Sequence, residues 1–271
     1  MNHAVSLAPV ITALPCVSSK SCFALLDDAH GEASISRLYK ELSDILLCDS
    51  AKALPEFLSA TQAALEAGLH AVALLSYETG AQLQAISPHE TTSLPSRILL
   101  FKRCDKLDQT QLSLWLESQE TKKSQMAAGI AALRASVDES AFSEAIAAVR
   151  SYIAAGDTYQ VNYTYRLHFE AYGSPISLYR RLRQRQPVPY GALICLPDGA
   201  AVLSLSPELF VRHQNGRLLA RPMKGTAAAS GDDAKDQLLA DELAHDSKNR
   251  AENLMIVDLL RNDLGRIAKT G

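Results

Sequence analysis

Between residues 191 and 221 four short apolar runs follow one another with no room for a helix between them, and this spacing constrains the fold more than any other stretch of the chain. The runs 191–196, 201–205, 210–213 and 217–221 read as strands, and Asn215-Gly216 supplies the two residues that a tight hairpin needs between the last pair. Strands joined this closely run antiparallel, because a parallel crossover takes a dozen residues or more. An all-parallel sheet is therefore excluded for this part of the chain.

Helical patterns surround the meander. Pro55 opens a helix whose apolar positions Leu54, Phe57, Leu58, Ala64 and Leu65 keep a helical period, with Gly68 as its cap. A second amphipathic helix is expected over 138–155, striped by Phe142, Ile146, Val149 and Ile153 and ended by Gly156. The period then switches. In 160–169, Val161, Tyr163, Tyr165, Leu167 and Phe169 alternate with Gln160, Asn162, Thr164, Arg166 and His168, which predicts a strand with Gln160 and Asn162 on one face. Ser174-Pro175 starts a short helix, and 232–267 reads as helical. Further strands are expected at 71–77, 97–101 and 111–116, with 117–125 as a surface connection. Helices and antiparallel strands without a steady βαβ alternation place the chain in the α+β class. Two regions are expected, 1–135 and 136–271.

Composition bounds the function. With 271 residues, 47% of them hydrophobic, the chain can bury a sizeable core. A net charge of -3 without a Lys/Arg run argues against a nucleic-acid partner. The cluster Arg180, Arg181, Arg183 and Arg185 reads as a solvated helix face. Five cysteines without C-x-x-C spacing suggest reduced thiols. The apolar stretch 5–14 has no Lys or Arg before it, and no run is long enough to span a bilayer, so neither a leader nor a membrane anchor is expected. These features together predict a cytoplasmic protein.

Three polar groups are candidates for chemistry. Lys224 stands in Arg221-Pro222-Met223-Lys224-Gly225-Thr226, directly after a strand. Pro222 fixes the backbone before it and Gly225 permits a close approach after it. A lysine held this way can be a nucleophile once it has lost its proton, or a solvated loop residue. Glu208 follows Ser206-Pro207 at the end of another strand, and the Asn215-Gly216 hairpin between it and Lys224 should bring the two residues to one rim. That pair suits acid/base work, and equally an ordinary salt bridge. Asp246–Asn253 opens a helix in which Asn249 and Glu252 share a face. Glu252 there is a candidate Mg2+ ligand, or a charge that complements the helix start through Lys248. No P-loop, dinucleotide fingerprint, nucleophile elbow or HExxH is present, and His168 reads as structural.

Taken together, Gly156-Asp157-Thr158-Tyr159-Gln160-Val161-Asn162, Ser204-Leu205-Ser206-Pro207-Glu208-Leu209-Phe210, Arg221–Thr226 and Ala251-Glu252-Asn253-Leu254-Met255-Ile256-Val257-Asp258-Leu259-Leu260-Arg261-Asn262-Asp263 resemble the chorismate-utilising enzymes. That family includes anthranilate, aminodeoxychorismate, isochorismate and salicylate synthases. The likeness runs from about Phe142 onward and is looser before it, through Leu25-Leu26-Asp27-Asp28 and Leu75-Ser76-Tyr77-Glu78. It implies a β-sheet sandwich with outer helices. Lysine at 224 resembles the aminodeoxychorismate synthase branch, where other branches usually carry alanine. Gln160 stands where the isochorismate and salicylate enzymes carry a water-activating lysine, a role that glutamine cannot fill.

The resemblance implies amination of chorismate with glutamine-derived ammonia to 4-amino-4-deoxychorismate, on the route to 4-aminobenzoate and folate. Lys224 would be the covalent nucleophile and Glu208 its acid/base partner. Gln160, Gly225 and Thr226 would line the substrate pocket, and Glu252 would bind Mg2+. A separate glutamine amidotransferase would supply ammonia. Family members continue past the position of Gly271 with a second metal-ligating glutamate group and substrate clamps. The chain is accordingly expected to be C-terminally truncated and inactive by itself. Anthranilate synthase component I and a non-catalytic remnant are the alternatives. Leu25–Asp28 and Pro189-Tyr190-Gly191 also resemble segments that hold tryptophan in some members, and ordinary packing accounts for them equally.

Overall fold

The computed structural model describes residues 22–31, 34–86, 95–120, 127–228 and 230–269. The apolar stretch 5–14 and residues 121–125 of the expected connection lie outside the described residues. The first part of the chain comprises β1 (Phe23–Asp27), β2 (Ser36–Cys48), α1 (Leu54–Glu66), β3 (His70–Leu74), α2 (Tyr77–Leu83), β4 (Ser96–Leu107) and α3 (Gln109–Ser118). There follow β5 (Gly129–Ala135), α4 (Glu139–Ala155), β6 (Leu167–Tyr172), α5 (Pro175–Arg185), β7 (Tyr190–Cys195) and β8 (Ala201–Ser206). The last elements are β9 (Leu209–Gln214), β10 (Arg217–Arg221), α6 (Asp233–His245) and α7 (Ser247–Gly265). The class is α+β. Among the described residues no helix is long and apolar enough to cross a membrane.

The main sheet has six strands in the order β3-β4-β2-β1-β7-β8, every pair antiparallel. It draws strands from both expected regions. β1 lies inside it and is apolar on both faces. Phe23 and Leu25 pack with Leu38, Leu112, Leu116, Tyr179 and Leu193 on one side, while Ala24 packs with Val72, Leu99, Phe101 and Ile194 on the other. Fully burying one such leucine stabilises the fold by roughly 1.5–3 kcal/mol. β9–β10 and β5–β6 form separate two-stranded ribbons. Among the described residues, α4, α6 and α7 bury no side chain fully.

Three sequence expectations need correction. Residues 111–116 are helix, not strand. Asp108 and Gln111 form a capping box that starts α3, and Leu112 and Leu116, four apart, are buried while Leu114 between them is exposed. The strand expected over 160–169 is confined to Leu167–Tyr172, because its partner β5 runs out: Ser136 already turns to bond the backbone of Arg166 at both N and O. Residues 160–166 form no strand, although Tyr163 and Tyr165 do share a face, both touching Phe142 of α4. The helical stretch 232–267 breaks in two at Asp246, whose carboxylate caps α7 through the Asn249 amide at 2.7 Å.

Arg185 of α5 is exposed as expected, but Arg180, Arg181 and Arg183 are bound to the rest of the fold rather than solvated. Arg183 Nε donates to Asp27 Oδ2 at 2.6 Å, and Asp27 is 2% exposed. The same carboxylate accepts from Tyr179 OH at 2.9 Å and from Ser36 Oγ at 3.0 Å. Arg183 also donates to Gln109 of α3, Arg180 pairs with Glu120, and Arg181 bonds the Ala128 carbonyl. On β7, Gly191 lies opposite Asp27; a Cβ there would sit 2.6 Å from Tyr179 OH. The segments Leu25–Asp28 and Pro189-Tyr190-Gly191 thus meet across β1 and β7, with Tyr179 packed over them.

Burial, and secondarily the Asp27 charge, hold the Tyr179 phenol well above its ordinary range. The folded state therefore keeps a proton that the unfolded chain gives up near pH 10, so stability is full below that pH and falls above it, by about 1.4 kcal/mol per pH unit for this group. Urea unfolding between pH 8 and 11 should show this slope, and Tyr179→Phe should flatten it. Arg183→Met should cost about 3–5 kcal/mol in the same measurement at pH 7, because it leaves the Asp27 carboxylate buried without its cation.

Candidate active site

The site begins at the β9–β10 hairpin. Asn215 and Gly216 both adopt positive φ, +52° and +73°, the conformation of a two-residue turn whose twist matches the flanking strands. The register runs Arg217 to Gln214, Leu218 to His213 and Leu219 to Arg212, then shifts so that Arg221 faces Leu209. That irregularity lies just before Pro222. The exit of β10 therefore lies beside the entrance of β9, as the turn dictates. Glu208 Oε1 accepts a long hydrogen bond from the Met223 amide at 3.4 Å, one residue before Lys224. Ser206 Oγ accepts from the Glu208 amide at 3.2 Å and steadies the approach to β9.

Lys224 is half-buried and has no hydrogen bond or ion pair among the described residues. Glu208 is exposed. The expected rim is formed without a direct salt bridge between them. Gly225 follows at φ +69°, and a Cβ there would lie 2.8 Å from Asn249 Oδ1 and 2.9 Å from its Cγ. The loop carrying Lys224 is thus pressed against the first turn of α7 at a place only glycine fits. Thr226 comes next and is exposed.

One turn further along α7, Glu252 meets the loop that leaves α4. Gly156 ends α4 in the left-handed conformation, and the chain then carries Gln160 to α7. Gln160 Nε2 donates to Glu252 Oε1 at 2.7 Å. The Lys248–Glu252 pair that a decorative helix start would show is absent among the described residues. The structure therefore links Glu208 to Met223, Gly225 to Asn249, and Glu252 to Gln160, while Lys224 and Thr226 are carried on the same loop without a bond of their own among the described residues. His168 lies on β6 and takes part in none of these contacts. Sequence reasoning missed the packing role of Asn249; the glycine after Lys224 was its one visible sign.

Glu252 Oε2 has no protein partner among the described residues, and neither has Glu208 Oε2. No cluster of three His, Cys, Asp or Glu side chains gathers among them. A free carboxylate oxygen is a donor that Mg2+ would accept, since that ion keeps several waters and often takes only one or two protein carboxylates. Behind Pro222, an apolar groove of about 310 Å³ runs between β10 and α7, lined by Ala220, Val257, Leu260 and Leu264.

A family profile described as chorismate binding enzyme matches residues 24–271. Aminodeoxychorismate synthase component 1 of Klebsiella aerogenes is 40% identical over 157 residues, 58% of this chain and 35% of that protein. Anthranilate synthase component 1 of Streptomyces coelicolor is 42% identical over 137 residues, 51% of this chain and 27% of that protein. The matched stretch thus spans about a third of the length of these curated relatives. The solved anthranilate synthase component I from Streptococcus pneumoniae TIGR4 superposes with a TM-score of 0.60 at 22% identity, over 73% of this chain and 50% of that one.

The Gly225–Asn249 contact gives a stability test. Gly225→Ala should cost at least about 1 kcal/mol from the left-handed backbone alone, with a further loss from the side-chain clash. Asn249→Ala removes the Oδ1 and Cγ contacts but keeps a Cβ at 3.2 Å, so it should restore most of the second part and leave the first. A double-mutant cycle by urea unfolding measures the coupling; additive losses would mean that the two residues do not press on one another.

Proposed function

The chain belongs to the chorismate-binding enzyme family, and on that premise we propose that it is the chorismate-binding subunit of an aminodeoxychorismate synthase. The observation that carries this reading is the lysine at 224, fixed between Pro222 and Gly225 with the Glu208 carboxylate bonded to the neighbouring amide. Relatives named as aminodeoxychorismate synthase and as anthranilate synthase match the chain at similar identity, so the branch rests on Lys224 and Gln160 rather than on overall likeness.

The chemistry follows from the positions. The C4 hydroxyl of chorismate leaves poorly unless it takes up a proton. Glu208 delivers that proton while the neutral Lys224 amine attacks C2, the ring double bonds shift, and water departs from C4. Ammonia then attacks C4, the double bonds shift back, and the C2–Lys224 bond breaks to release the amine. Two easier displacements replace one difficult one. Gly225 and Thr226 line the pocket by backbone and hydroxyl contact, and Gln160 borders it. When bound, Mg2+ neutralises and positions a substrate carboxylate; Glu252 is the residue that would hold it.

A separate glutamine amidotransferase delivers the ammonia in this proposal. The relatives' designation as component 1 supports a partner subunit. We place the reaction in the cytoplasm, in keeping with the unpatterned spacing of the cysteines.

The chain being expected to be inactive by itself, the test is product identity and adduct formation with chorismate, ammonia and Mg2+ in a form extended to the length of its curated relatives. Aminodeoxychorismate, read by chromatography, is expected; fluorescent anthranilate in its place would assign the chain to the other branch. Intact-mass analysis should show a chorismate-derived adduct that Lys224→Ala abolishes. Lys224→Arg should not restore it, since a guanidinium stays protonated. Glu208→Gln should slow turnover by about 100- to 10,000-fold, the usual worth of a catalytic proton transfer.

A further inference from the structure

We propose that Gln160 is a positioning residue, acting through Glu252 rather than on the substrate alone. The inference rests on the reading of Glu252 as the magnesium ligand. Its observation is the 2.7 Å hydrogen bond from Gln160 Nε2 to Glu252 Oε1, made between groups 92 residues apart and partly buried. That is the one hydrogen bond of the Gln160 side chain among the described residues, and also the one bond of the Glu252 carboxylate.

A carboxylate on a helix turns freely about its terminal bond unless something holds an oxygen. A donor on Oε1 stops that rotation and leaves Oε2 as a single oxygen of fixed direction. Such a group suits a cation that keeps much of its water and takes one oxygen from the protein. Donors of this kind set the orientation and basicity of metal-binding carboxylates, and their removal typically lowers metal affinity by about 10- to 100-fold. Glutamine is chemically apt for the place. It supplies an N–H without adding a positive charge that would compete with the cation for Glu252.

Manganese titration of the full chain without substrate, with free Mn2+ counted by its electron paramagnetic resonance signal, tests the inference. Gln160→Leu keeps the bulk and removes the donor, whereas Gln160→Asn keeps the donor and is too short to reach. Both should weaken Mn2+ binding by about tenfold or more, while thermal unfolding in metal-free buffer stays near that of the parent. A packing role predicts the opposite pattern, with Leu harmless and Asn damaging. Parental Mn2+ affinity in Gln160→Leu overturns the proposal. Glu252→Gln separates the two layers of the argument: if it binds Mn2+ as the parent does, the metal reading of Glu252 has failed. If it loses binding while Gln160→Leu does not, only the positioning role has failed.

Discussion

The Asp27 carboxylate is almost fully removed from water, and the surrounding architecture is arranged to satisfy it. It lies at the end of β1 in the middle of the main sheet and is bonded by Ser36 of β2 and by Tyr179 and Arg183 of α5, while Arg183 reaches on to α3. A charge buried without these partners would cost several kcal/mol, so the contacts fix where α5 and α3 lie against the sheet. Gly191 completes the arrangement by leaving the space that the Tyr179 hydroxyl occupies. The apolar packing of Phe23, Leu25, Leu112 and Leu193 supplies most of the driving force, and the polar network fixes its geometry.

The part of the chain that carries the candidate chemistry is built differently. It has no comparable buried centre among the described residues; its loops meet the start of α7 through single contacts, and β10 faces the rest of α7 across the apolar groove. Those contacts suffice to bring Glu208, Lys224, Gly225, Glu252 and Gln160 into one neighbourhood. The division separates packing from chemistry: the sheet is densely buried where no reaction is proposed, and the proposed site depends on short-range backbone geometry such as the Asn215-Gly216 turn.

That difference also explains what could be read from the sequence. The hairpin and α4 were legible because their signals are local: Asn-Gly between alternating runs, and a stripe from Phe142 to Ile153 ended by Gly156. Leu112, Leu114 and Leu116 alternate like a strand, yet Leu112 and Leu116 also keep helical spacing, and the Asp108–Gln111 cap decides between the two. β2 escaped notice because its register shifts between Leu42 and Asp44, breaking the period-two pattern that marks a strand. The arginines of α5 looked solvated because the carboxylate that claims Arg183 is 156 residues away. The Gln160–Glu252 bond was hidden for the same reason. Types of residue were visible; their partners across the fold were not.

The distance between Asp27 and Arg183 also sets a clock. At the usual synthesis rate of about 5–20 residues per second, α5 and β7 leave the ribosome roughly 8–30 s after β1. During that interval β1 can pair with β2 on one side, but its other edge and its acidic end have no partner. A nascent chain must therefore carry an apolar strand with an open edge for seconds, a period in which chaperone capture competes with aggregation.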